Sequence, residues 1–131
     1  MNRKTILFDA NRFSTLPSLY QEVENTCTKD LGWSIGRNLD AFNDVLRGGF
    51  GVYDYEESIQ LIWLHSDKSR KDLGWAKTIN YLTAKLITRH PSNAASVKRD
   101  LALAESHTGQ TLFEILVEII QAHEHIELCL K

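Results

Sequence analysis

Asp40 and Asp44 stand four residues apart, a spacing that places two carboxylates on neighbouring turns of one helix face, where together they can address the cations of a basic partner. Just upstream, Trp33-Ser34-Ile35-Gly36-Arg37 has no apolar periodicity and reads as surface loop, so the Trp33 ring is free to offer a stacking surface. Glu118 belongs to a second pattern, a polar stripe with Glu114 and Gln121 at i, i+4 and i+7 on an otherwise apolar stretch. Two aspartates on a short helix also fit a solvated face, Asp40 favouring the helix N-terminus and Asp44 pairing with Arg47 at i, i+3. The residues alone leave both readings open.

Other constellations carry less chemistry. His123-Glu124-His125 would put two imidazoles on one side of a strand that also holds Cys129, but no third and fourth ligands follow at zinc-site spacing, and a polar turn explains the run better. His65-Ser66-Asp67 has the residue types of a triad without the shaped turn a nucleophile needs. No G-x-x-x-x-G-K-[ST] or G-x-G-x-x-G phosphate cradle is present, and Gly48-Gly49-Phe50-Gly51 reads as helix termination. The expectation is therefore no catalytic residue, no metal and no cofactor.

Charge narrows the class further. The net charge is −2, without the basic balance of a nucleic-acid binder, so no nucleic-acid partner is expected. The distribution is uneven: residues 37–64 carry two basic and five acidic groups and 111–131 one and four, whereas 65–110 carry eight basic and four acidic. Two acidic segments flank a basic one, the pattern of a dipolar molecule with a negative face. The basic stretch, with Lys68, Arg70, Lys71, Lys77, Lys85, Arg89, Lys98 and Arg99, supports an alternative as a nucleic-acid or protein adaptor, although interleaved acids favour a solvated surface. A further alternative is a metal-dependent enzyme with Asp40, Asp44 and Glu118 as a carboxylate cluster. Only Thr5-Ile6-Leu7-Phe8 separates the basic N-terminus from Asp9, too short for a secretory core or a membrane span, which predicts a cytoplasmic protein with no membrane partner. Two cysteines, Cys27 and Cys129, suit core packing in a reducing compartment.

The elements that must hold these residues follow from periodicity. Thr5–Phe8 predicts a strand, and Ser14, Thr15 and Pro17 open a helix whose buried stripe is Leu16, Leu19, Tyr20, Val23 and Cys27. Asn38 caps a short helix with Leu39, Phe42 and Leu46 inward, ended by Gly48-Gly49. Ser58–Leu64 predicts a central strand, Trp75, Ile79, Leu82 and Leu86 a helix, and Val97, Leu101 and Ala104 a weaker one. Thr111 and Glu114 form a capping box before a strongly apolar helix, and Ile126–Lys131 alternates as a strand. Strands joined through helices predict one α/β domain over residues 1–131, a small three-stranded parallel sheet flanked by helices, with an extra helical insertion over about residues 65–110.

This order, with Gly36-Arg37-Asn38-Leu39-Asp40-Ala41-Phe42-Asn43-Asp44 after a Trp-bearing loop, resembles the barstar family of intracellular ribonuclease inhibitors. The family's second helix begins G-x-N-L-D-A-hydrophobic-aromatic-D, and every position matches except the aromatic, which is Asn43 here. The resemblance covers residues 1–64 and 111–131. It implies a non-enzymatic immunity protein that forms a one-to-one complex with a cognate secreted ribonuclease and occludes its basic active site. By resemblance, the partner-binding residues are Trp33, Ser34, Ile35, Gly36, Arg37, Asn38, Asp40, Asn43 and Asp44, with Glu118 in the place of the family's glutamate on the last helix. Ser34 and Ile35 stand where the family has loop aromatics, and Trp33, one residue earlier, is positioned to supply the missing ring.

Overall fold

The structure, a computed structural model, describes residues 3–28, 36, 38–88 and 94–131. Among these the elements run β1 (Lys4–Asp9), a 3-10 turn (Ala10–Arg12), α1 (Leu16–Cys27), α2 (Leu39–Leu46), β2 (Ile59–Leu64), α3 (Ser66–Asp72), α4 (Trp75–Thr88), α5 (Ala94–Glu105), α6 (Leu112–Gln121) and β3 (Ile126–Leu130). The sheet is three-stranded and wholly parallel in the order β1-β2-β3, with Ile6 opposite Leu61 and Leu61 opposite Leu128. The chain is thus an α/β fold with the small parallel sheet and flanking helices that alternating apolar segments predict.

Local chemistry starts the helices where expected. Thr15 Oγ1 accepts from the Ser18 amide at 3.3 Å while Ser18 Oγ accepts from the Thr15 amide at 3.0 Å, so two donors at the α1 terminus are satisfied reciprocally. Thr111 and Glu114 do the same for α6, at 3.3 and 3.0 Å. Two elements lack such signals. The 3-10 turn is set by Asp9, whose carboxylate accepts from the Asn11 amide at 3.0 Å. Helix α3, Ser66-Asp67-Lys68-Ser69-Arg70-Lys71-Asp72, has no apolar stripe; it is held by Ser69 Oγ, which accepts from the buried Trp63 indole N–H at 2.9 Å.

Trp63 is the centre of the core. Its ring is met edge-on by Phe8, Phe13 and Phe113, at centroid distances of 6.0, 5.9 and 5.3 Å, arrangements that suit the aromatic quadrupole. Ile6, Phe8, Ile59, Leu61, Trp63 and Ile126 share one buried sheet face. The opposite face is open: Leu7 is 43% exposed, Thr5 and Glu127 are exposed, and Ile62 and Cys129 are half-buried. Both cysteines are free; Cys27 is a core residue as expected, with burial pushing its thiol up to about 11, whereas Cys129 lies on the open face because its position alternates away from Leu128. Helix α5 packs along α4 through Leu82, Val97 and Ala104, and the Trp75 and His107 rings stack at 5.4 Å where the two helices meet.

Candidate functional site

Helix α2 carries the two aspartates, and its position is determined from four sides. Asn38 Oδ1 accepts from the Ala41 amide at 2.7 Å, closing the N-terminus. Phe42, Val45 and Leu46 are buried, and at roughly 1.5–3 kcal/mol for each large side chain they anchor the inner face far more strongly than surface charges perturb it. The buried Tyr53 hydroxyl lies 3.0 Å from the Leu46 carbonyl oxygen and 3.3 Å from that of Val45, capping the C-terminus; burial raises its pKa and keeps it a neutral donor. Gly48 follows at φ +92°, where a Cβ would strike the Asp54 carbonyl oxygen and approach the Tyr53 ring to 2.7 Å. Only glycine fits that corner.

The outer face is left to charge. Asp40 and Asp44 are exposed, and neither has an ion-pair or hydrogen-bond partner among the described residues. Arg47 does not pair with Asp44: it continues past the helix end, where its backbone carbonyl accepts from the Glu56 amide at 2.6 Å. Gly36 lies against the first turn, and a Cβ there would sit 3.1 Å from that of Ala41 and 3.2 Å from Asn38 Nδ2. Trp33, Ser34, Ile35 and Arg37 fall outside the described residues.

Asn43, where the family pattern has an aromatic, bonds across to the end of α6, its Oδ1 lying 2.8 Å from His123 Nε2. Sequence reasoning missed this contact, since His123 is eighty residues away and offered only a weak metal motif. His123, Glu124 and His125 form the turn before β3, as a polar turn reading predicts. The His123 and His125 rings meet edge-on at 5.7 Å. Burial lowers the pKa of His123, the neighbouring His125 and Arg47 lower it further, and Glu56 opposes them. Between this turn, the Asn43–Arg47 end of α2 and Glu56 opens a hollow of about 710 Å³.

Glu118 lies elsewhere on α6. It is exposed as its stripe predicts, accepts a hydrogen bond from the Gln110 amide, and lines a separate hollow of about 450 Å³ with Arg70, Phe113 and Gln121. Among the described residues no group of three or more His, Cys, Asp or Glu side chains is arranged to hold a metal ion. The Ser66 hydroxyl of the His65-Ser66-Asp67 run donates to the Lys131 carbonyl at 2.9 Å and Asp67 is fully out in solvent, 4.0 Å from Arg70. The basic stretch is partly neutralised: Lys68 pairs with Asp72, and Lys85 lies 5.6 Å from the centre of the Tyr81 ring.

Comparison with known families bears on the acidic helix directly. The profile described as Barstar (barnase inhibitor) matches residues 3–85, well over half of the chain, and takes in β1 through most of α4. The chain belongs to the barstar family. The matched segment holds the parallel pair β1 and β2 and the Asn38-capped helix. It also takes in α3 and most of α4, part of the stretch expected as an insertion over about residues 65–110; α5, α6 and β3 lie beyond the match. Members of the family are inhibitors that bind a ribonuclease. None of the curated proteins matches the chain in sequence. Among the described residues no helix is long and apolar enough to cross a membrane.

Proposed function

We propose that this barstar-family chain is an immunity protein that inhibits a secreted ribonuclease, forming a one-to-one complex in the cytoplasm and covering the enzyme's basic active site with α2 and the loop before it. The observation that carries the reading is the pair Asp40 and Asp44, exposed and unpaired among the described residues on a helix whose other sides are fixed. A ribonuclease must bind phosphates and stabilise charge that develops in its transition state, so its cleft gathers Lys, Arg and His. Carboxylates held ready for such a cleft lose little conformational entropy on docking, and association relieves their mutual repulsion. Asn38 sets the register of the helix, Gly36 lets the loop approach it, Trp33, Ser34, Ile35 and Arg37 extend the contact, and Asn43 is the position most specific to this chain. Glu118 is a further contact, on α6.

The test is RNA cleavage by barnase, and by any ribonuclease encoded beside this chain, at rising concentrations of the purified protein. Stoichiometric loss of cleavage is expected; undiminished cleavage at excess protein overturns the reading. The metal-enzyme alternative loses support because no group of three or more His, Cys, Asp or Glu side chains among the described residues is arranged to hold a metal ion, and the adaptor alternative from the ion pairs and cation-π contact of the basic stretch.

A further inference from the structure

A side-chain bond ties α2 to the turn after α6, and it starts from the acidic face. Asn43 stands three residues after Asp40 and next to Asp44, so the three side chains occupy neighbouring positions on one side of the helix. Its Oδ1 lies 2.8 Å from His123 Nε2, and an amide oxygen only accepts, so Nε2 bears a proton and donates it. A further proton would join Nδ1, making the half-buried ring a cation without breaking the bond to Asn43. Charged and titratable groups surround this ring: Arg47 at the end of α2, Glu56 in the segment that follows, and Glu124 and His125 in the same turn. His125, met edge-on at 5.7 Å, is held by Nδ1, which donates to the Glu57 carbonyl at 2.9 Å, while its Nε2 is buried with no hydrogen-bond partner. Arg47 forms no ion pair among the described residues, so its charge is not neutralised by direct contact.

We propose that His123 is a positioning residue of the ribonuclease interface, holding Asn43 in line with Asp40 and Asp44, and that a proton gained by its ring loosens the complex. The inference rests on the reading of the chain as a ribonuclease inhibitor and adds to it a residue beyond α2 and a response to pH. Fixing Asn43 before docking spares the entropy of ordering its side chain in the complex. A cleft that gathers Lys, Arg and His brings positive charge up to α2, and a new positive charge beside that helix opposes docking. The complex therefore favours the neutral ring, and the free protein takes up the proton at higher pH than the complex does. By linkage, the affinity this ring controls is complete above about pH 6.5 and falls as pH drops through the lower value of the free protein. Arg47 adds a repulsion that is present throughout, whereas acid switches on that of His123. Glu56 and Glu124 partly offset the new charge and so limit the loss.

The test is the dissociation constant of the full chain, of His123→Gln and of His123→Phe for whichever ribonuclease the parent inhibits, measured from about pH 8 to pH 5. Titration of the nuclease's own groups is common to all three and cancels in their ratios. Glutamine keeps an N–H for Asn43 but takes up no proton, so it should match the parent within about twofold at pH 8 and bind roughly two- to ten-fold more tightly than the parent at pH 5. Phenylalanine removes the donor as well and should bind roughly two- to five-fold more weakly than the parent at pH 8, with the amide spectrum reporting that the fold is retained. Ring-proton NMR of His123 in the parent, free and in the complex, needs no variant: its titration midpoint should move to lower pH on binding. A constant ratio between parent and His123→Gln across the range, a His123→Phe variant equal to the parent at pH 8, or an unmoved midpoint overturns the proposal and leaves the inhibitor standing. A parent that inhibits no ribonuclease overturns the inhibitor reading and, with it, the role of His123.

Discussion

Asp44 and His123 make opposite demands on the protein. Asp44 is exposed and supports no described contact, so it contributes little to folding and is available for a partner. Asp44→Ala is expected to leave the urea midpoint unchanged within about 0.5 kcal/mol while weakening the ribonuclease complex by roughly 2–5 kcal/mol, because truncation would leave partner cations buried and unpaired. Equal affinity of variant and parent in a competition assay removes Asp44 from the interface. His123 is held neutral, with a pKa below its ordinary 6.5 chiefly because burial disfavours the imidazolium. The unfolded chain therefore binds a proton at higher pH than the folded one, so the stability this group contributes is complete above about pH 6.5 and is lost as pH falls toward its lower folded value. Urea midpoints taken from about pH 8 to pH 5 should fall at the acid end, and His123→Gln should flatten that fall; identical slopes would show that the ring is not the group responsible.

At the scale of the element, α2 is short and depends on its ends. Eight residues form few internal hydrogen bonds, so a cap matters more here than on a long helix. Asn38→Ala removes the oxygen that receives the Ala41 amide and should cost about 1 kcal/mol of stability, with a parallel loss of inhibition as the first turn, which carries Asp40, frays. At the other end, Gly48→Ala forces a Cβ into the Asp54 backbone and the Tyr53 ring at a positive φ, and a loss well above 1 kcal/mol is expected in urea denaturation. A near-neutral result there would mean that the Tyr53 corner gives way. The Asn43 contact with His123 makes α2 and the end of α6 one surface, so α6 has a role in the proposed interface apart from Glu118.

Across the whole molecule the charge is arranged to act at a distance. Asp40 and Asp44 on α2, with Glu56 and Glu124 around the neighbouring hollow, face solvent, while Arg3 and Lys4 are occupied by Glu127 and Glu57 at the sheet. Glu57 is kept ionised mainly by the Asp54 amide that it accepts, with Lys4 adding to the effect. Such a field steers a basic enzyme toward its docking site and is screened over about 10 Å at 0.1 M salt. The association rate constant with the ribonuclease should fall at least about tenfold between low salt and roughly 0.5 M salt, with a much smaller change in the dissociation rate. A rate indifferent to salt would mean that docking is driven by apolar contact instead.

Pattern along the chain determined the parts of this protein that obey local rules. The strands at Lys4–Asp9, Ile59–Leu64 and Ile126–Leu130, the Asn38 and Thr111 caps and the outward Asp40 and Asp44 are all legible because side-chain period and capping act within a few residues. Family membership was legible in the same way, in the nine residues from Gly36 to Asp44. Helix α3 was not, since a buried serine bonded to Trp63 holds it in place of an apolar stripe. Nor was the bond between Asn43 and His123 or the unpaired His125 Nε2. Each depends on which elements the parallel crossovers bring side by side, and long-range adjacency leaves no period in the sequence. The chain's own residues wrote the acidic helix; the packing of α6 against it decided what lies next to those carboxylates.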